Sequence, residues 1–178
     1  PSDANIRGTV SSASSYNLIG GGDRAGELIN GENNNQVGVS NAYLSSVGSY
    51  GGYGQTIALL PGSPAINAGT AVDAPTTDQR GTARVGATDI GAFESRGFTM
   101  SYSSGDNQTT LAKTAFPHPL AVTVASPSNE PVNGGGVTFT PPGSGASTTI
   151  AGNPALIVGG VATTGQLTAN VTAGGPYT

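Results

Sequence analysis

Apolar residues in this chain come as short runs cut by glycine, proline, serine and asparagine, the pattern of short strands rather than helices. In the first half the pattern predicts strands at Ile6–Val10, Tyr16–Ile19, Gln36–Val39 and Thr56–Leu60, with shorter apolar pieces at Ala65-Ile66 and Ile90–Phe93. Residues 45–54 are rich in glycine, serine and tyrosine and read as a loop. One helical turn around Ala25–Ile29 fits the polar interval, weakened by Gly26 and Gly31. After Glu94 the pattern becomes a regular strand series: Phe98–Tyr102, Gln108–Ala112, Leu120–Ala125, Val137–Thr140, Thr148–Ala151, Ala155–Val158, Val161–Thr164 and Leu167–Val171. Turn residues separate them at Ser104–Asn107, Ser126–Gly136, Pro141–Gly145 and Gly159-Gly160, a spacing that suggests a β-sandwich.

The chain is organised around Leu59–Glu94. Pro61-Gly62 and Ser63-Pro64 bar a helix there. The stretch also holds most of the charge in the middle of the protein: Asp73, Asp78, Arg80, Arg84, Asp89 and Glu94. Charges alternating in sign across turns are expected where backbone turns are tied by charge-assisted hydrogen bonds.

Four motifs occur in one order: N-L-I-G at Asn17–Gly20, A-L-L-P-G-S-P-A-I-N-A-G at Ala58–Gly69, D-Q-R-G-T-A-R at Asp78–Arg84, and D-I-G-A-F-E at Asp89–Glu94. This order resembles the end of bacterial choice-of-anchor Q or polymorphic outer-membrane-type parallel β-helix surface proteins. The resemblance spans roughly residues 16–94. It implies the last coils of a right-handed parallel β-helix and no enzymatic activity. Coils of such solenoids are roughly 20–30 residues long, which gives about three or four here, although the sequence shows no clean self-similarity.

The second half carries S-G-D-N-Q at Ser104–Gln108, A-F-P-H-P-L-A-V-T-V at Ala115–Val124, V-N-G-G-G-V-T-F-T-P-P-G-S-G-A-S at Val132–Ser147 and L-T-A-N-V-T-A-G-G-P-Y-T at Leu167–Thr178. These resemble the bacterial Ig-like domains of invasin- and intimin-type adhesins. The resemblance implies an Ig-like sandwich whose last strand is incomplete at Thr178. Ser95–Gly97 reads as the linker, giving β-helix coils over 1–95 and a sandwich over 96–178. The abrupt start at Pro1 reads as an open end of a longer coil stack.

Composition narrows the function. Only 9% of the 178 residues are charged, against about 25% in ordinary soluble domains, and there are 29 Gly and 12 Pro. That is the profile of a secreted all-β protein. Net charge is −4 and the six basic residues are scattered, which disfavours nucleic acid and anionic membrane surfaces as partners. No cysteine is present, so disulfides and thiolate metal sites are excluded. No apolar run reaches the roughly 18 residues that span a bilayer, so this segment is not expected to insert.

Candidate chemistry is sparse. Gly38–Ala42 loosely resembles a nucleophile elbow around Ser40, but the sole histidine, His118, falls in the other expected domain. Asp78, Asp89 and Glu94 are candidates for acid–base work or a Ca²⁺ site. With Arg80 and Arg84 beside them, the stronger reading is a structural salt-bridge cluster of Asp78, Arg80, Arg84, Asp89 and Glu94. No cofactor is expected, Ca²⁺ being the alternative. Tyr50 and Tyr53 are a candidate glycan contact, weighed against rings that cover the coil core.

The expected architecture is therefore all-β: terminal coils of a right-handed parallel β-helix, then an Ig-like β-sandwich. Leu59, Leu60, Ile66, Ile90 and Phe93 are expected to fill the coils. Phe98, Leu120, Val122, Val124, Val137, Phe139, Leu167 and Val171 are expected to fill the sandwich. The expected role is a non-catalytic structural or adhesive segment of a bacterial cell-surface or extracellular fibre protein. Its expected partners are other copies of itself, other surface proteins or glycans. The alternatives are a subunit of a self-assembling filament and the non-catalytic end of a polysaccharide-active β-helix enzyme.

Overall fold

The computed structural model describes residues 6, 8–20 and 26–174. The chain is all-β: among the described residues there are eleven short strands, no α-helix, and one 3₁₀ turn at Glu32–Asn34. It divides into two compact units. The first takes in residues 1–59 and 63–96, and the second takes in 60–62 and 97–178.

In the first unit, β1 (Leu18–Gly20) runs parallel to β2 (Gln36–Val39), with Leu18 opposite Gln36 and Ile19 opposite Val37. Next, β3 (Leu44–Gly48) pairs antiparallel with β4 (Thr56–Leu59). Ala58, Leu59, Ala65 and Phe93 form the main buried cluster, with Leu18, Tyr50, Ile66 and Ile90 packed against it. A smaller cluster joins Ile19 and Leu28, flanked by Ile6, Val10 and Val37.

The second unit contains a five-stranded antiparallel sheet in the order β5-β6-β10-β9-β7. Its strands are β5 (Thr99–Ser104), β6 (Ala121–Ala125), β7 (Gly136–Val137), β9 (Ala155–Val158) and β10 (Val161–Thr163). A separate pair joins β8 (Thr148–Ile150) to β11 (Leu167–Ala169), extended by a bridge from Thr168 to Ala115. Alternation sets the buried face: in β9, Ala155 and Ile157 point in while Leu156 and Val158 point out. Gly159 and Gly160 close the β9–β10 hairpin with φ of 59° and 77°, the two positive values that a type I′ turn requires. Val124, Val137, Ala155, Ile157 and Ala162 are buried together, and Phe98, Val122, Val132 and Phe139 pack on them.

Several expectations are corrected. Residues 45–54 are not all loop: β3 begins at Leu44 and runs to Gly48, because Val47 finds Ile57 across the ladder despite the serines. Ala65-Ile66 lies in a turn and Ile90–Ala92 in bends that lead into Phe93, so neither is a strand, although Ala65, Ile66, Ile90 and Phe93 are buried or half-buried. The described part of Ile6–Val10 is not a strand, and Val10 N donates to Gly26 O at 3.0 Å. Gln108–Ala112 is irregular, since the Gln108 side chain holds the main chain of Gly105 and His118 instead. The strand expected to reach Thr140 stops at Val137, and the Asn153 amide binds both the N–H and the C=O of Phe139. Val171 is 67% exposed and fills no core, because β11 ends at Ala169. Leu60 is buried but groups with the second unit, where Gly136 N donates to Pro61 O at 2.8 Å. A turn at Gly26-Glu27 replaces the described part of the expected helical turn, whose Ala25 lies outside the described residues, as do Gly21, Gly22 and the chain end at 175–178.

Candidate functional site

The five expected charged residues converge in the first unit. Each is held by short turns: a bridge pairs Thr77 with Ala83, and Gly81 N bonds back to Asp78 O. Asp78 is fully occupied. Its Oδ1 accepts the backbone N–H groups of Arg80 (2.9 Å) and Thr82 (3.0 Å), while Oδ2 accepts Arg80 Nε (2.8 Å) and Glu94 N (3.0 Å). The Arg80 guanidinium also donates to Glu94 O at 2.6 Å and Tyr50 O at 3.3 Å. It lies 3.5 Å from the centre of the Phe93 ring, and Tyr50 meets that ring edge-on at 6.3 Å. Phe93 is thus held by a cation on its face and an aromatic edge.

Glu94 has no exposed surface. Its Oε2 accepts Arg84 Nη1 (2.8 Å) and Asp89 N (3.1 Å), and its Oε1 accepts Val85 N (3.1 Å). Asp89 accepts Asn67 N on Oδ1 (2.7 Å) and Ser95 N on Oδ2 (2.6 Å). Arg84 Nη2 adds Gly91 O at 3.0 Å. Gly69 fits tightly under this network, because a Cβ there would stand 2.7 Å from Asp89 O.

The environments push two acids in opposite directions. Burial raises the Asp78 carboxyl, but the Glu94 amide, the Arg80 side chain, the Thr82 amide and the Arg80 charge outweigh it and hold it below the usual carboxylate value. At Asp89 burial wins over the Asn67 and Ser95 amides, and the neighbouring Glu94 charge adds to it, so its carboxyl is raised.

The cluster therefore uses its carboxylates to answer backbone donors in turns that contain no strand, only the Thr77–Ala83 bridge. General acid–base chemistry needs a carboxyl that reaches a substrate. Here Asp78, Asp89 and Glu94 are at most 6% exposed and face amides or guanidinium groups. Among the described residues no group of three or more His, Asp or Glu is arranged to hold a metal ion. Ser40 is exposed in the first unit and His118 is exposed in the second. No protein-family model, curated protein or solved structure matches this chain.

The tyrosines part company. Tyr50 is half-buried against Phe93 and its hydroxyl donates to Ser46 O at 2.9 Å. Tyr53 is wholly exposed and covers no core. Beside this network an apolar groove of about 460 Å³ is lined by Leu18, Leu44, Val47, Ile57, Ile90 and Phe93, among others. The Thr56 hydroxyl, also on its wall, is buried and has no hydrogen-bond partner.

A second feature went unread in the sequence. Asn35 is 2% exposed. Its Oδ1 accepts both the backbone N–H (3.0 Å) and the side-chain amide (2.8 Å) of Asn17, eighteen residues earlier, and its own amide donates to Ser14 O at 2.8 Å. The signal was present: Asn17-Leu18-Ile19-Gly20 and Asn35-Gln36-Val37-Gly38 share asparagine, an aliphatic residue and glycine at the same offsets. Four residues were too short a repeat to stand out.

Proposed function

We propose that the chain is a non-catalytic structural or adhesive segment of a bacterial cell-surface or extracellular fibre protein. In this reading the first unit is the closing coils of a right-handed parallel β-helix and the second is an Ig-like sandwich. The observation that carries it is the Asn17–Asn35 pair. Like amides stacked across parallel, in-register strands are what successive coils of one solenoid produce, because each coil repeats the backbone of the last. The offset is eighteen residues, and β1 and β2 keep that register at Leu18–Gln36 and Ile19–Val37 before it shifts by one residue at Gly20–Val39. The charged network supports the same role, since its carboxylates hold backbone and none opens onto a surface where a substrate would sit.

Two experiments test it. Antibodies raised against this chain are expected to label intact cells of the source bacterium; labelling only after lysis overturns the surface role. Asn35→Ala is expected to cost about 1–3 kcal/mol in urea unfolding, because it strands the Asn17 backbone N–H and the Ser14 carbonyl. A change under about 0.5 kcal/mol removes the coil argument.

A further inference from the structure

We propose that β5 is a self-association edge, at which two copies of this chain join their five-stranded sheets antiparallel across a two-fold axis at Ser101. This inference is independent of the surface role. At six residues β5 is the longest strand among the described residues; it ends its sheet, and every residue in it is exposed. An open edge is a template for another strand, and edges that must stay single carry lysine, proline or an inward charge. Thr99–Ser104 has none of these.

The side chains say which strand fits. Met100 lies opposite Val124 and Tyr102 opposite Val122, so both stand on the face that carries the buried cluster. Yet Met100 is 66% exposed and Tyr102 is 61% exposed. The core face therefore runs out to the edge uncovered. The Tyr102 hydroxyl is held by Asp106 Oδ1 at 2.6 Å, which leaves the ring for apolar contact.

An added strand that keeps this face continuous must be apolar at the same alternate positions and must not repel an uncharged edge. A second β5 meets both conditions. Centring the pair on Ser101 sets Met100 against Tyr102 of the second copy on the core face, a sulfur–aromatic contact. It sets Thr99 against Ser103 on the other face. About four to six backbone hydrogen bonds form across such a pair. The contact is small by the standard of stable dimers, so association is expected to be weak.

The chain has no cysteine, which makes the register directly testable. Ser101→Cys is expected to form covalent dimers under mild oxidation at least tenfold faster than Thr123→Cys, which sits one strand further in. Across the two-fold the Thr123 positions lie about 14 Å apart, three strand spacings. Adding Met100→Lys, at an exposed position that folding does not need, is expected to suppress the Ser101→Cys dimer; circular dichroism checks that each variant is folded. Equal rates for Ser101→Cys and Thr123→Cys overturn the proposal. So does a wild-type chain that sediments as a monomer at millimolar concentration, a result that assigns the edge to a different partner.

Discussion

The turns at 63–96 and the five-stranded sheet solve one problem in two ways. Every buried N–H must meet an acceptor. In the sheet, β6, β10 and β9 supply acceptors to one another, and apolar side chains such as Val124, Ile157 and Ala162 fill the interior. Residues 63–96 contain no strand of their own, and three carboxylates accept amides that the backbone of the turns does not pair. Asp78, Asp89 and Glu94 accept the amides of Arg80, Thr82, Glu94, Asn67, Ser95, Val85 and Asp89. In a chain with few charges, buried charge marks where regular pairing is missing.

The sharpest way to break that comparison is to remove Glu94. Glu94→Ala leaves Arg84 buried without its partner and two amides without an acceptor. A cost of about 3–5 kcal/mol is expected in urea unfolding, the range for breaking a buried pair. Hydrogen exchange should place the loss at Val85 and Asp89. A cost under about 1 kcal/mol means that water replaces the carboxylate, and the turns are not held this way.

In the sheet the matching change is Ile157→Ala. Ile157 is 1% exposed. Truncation is expected to cost about 2–4 kcal/mol through lost burial and the cavity left behind. No amide loses its acceptor, so exchange should rise across the sheet rather than at two positions. A loss confined to two amides would erase the distinction between the regions.

Acid separates the regions more gently. Asp78, held low, contributes stability that is present above its unfolded value near 3.8 and is lost as pH falls through its lower folded value. Asp89, held high, has the opposite sign: its contribution is full below about 3.8 and is lost as pH rises through the raised value. Descending from neutral pH, the turns should gain from Asp89 before they lose from Asp78. Asp89→Asn is expected to flatten the gain and Asp78→Asn the loss, read as exchange protection at Thr82 and Ser95. Profiles that leave both slopes unchanged would sink the assignment.

Legibility differed between the regions for the same physical reason. In the sheet, alternation and the Gly159-Gly160 turn are local, and β9 falls at Ala155–Val158 as the pattern reads. In the turns the alternating charges marked a tied region, and all five residues meet there. The partners did not show, because Asn67, Ser95 and Tyr50 contribute backbone atoms, which any side chain would supply. Ala65-Ile66 and Ile90–Phe93 read as strands because burial gives the same short apolar run whether the backbone is extended or turned. Residues 45–54 hid β3 because a strand with exposed serines carries a turn's composition.

The smallest effect belongs to the tyrosines. Tyr53 is fully exposed and touches no core, so Tyr53→Ser should shift stability by less than about 0.5 kcal/mol. Tyr50→Ser removes the edge contact with Phe93 and the bond to Ser46 O, and should cost more. Calorimetry against a panel of oligosaccharides then separates packing from binding. If Tyr53→Ser abolishes heat on one glycan while the melting curve stays fixed, the exposed ring is a contact for sugar. If neither variant alters any titration, glycan recognition by this pair is gone and Tyr50 is a packing residue of the charged turns alone.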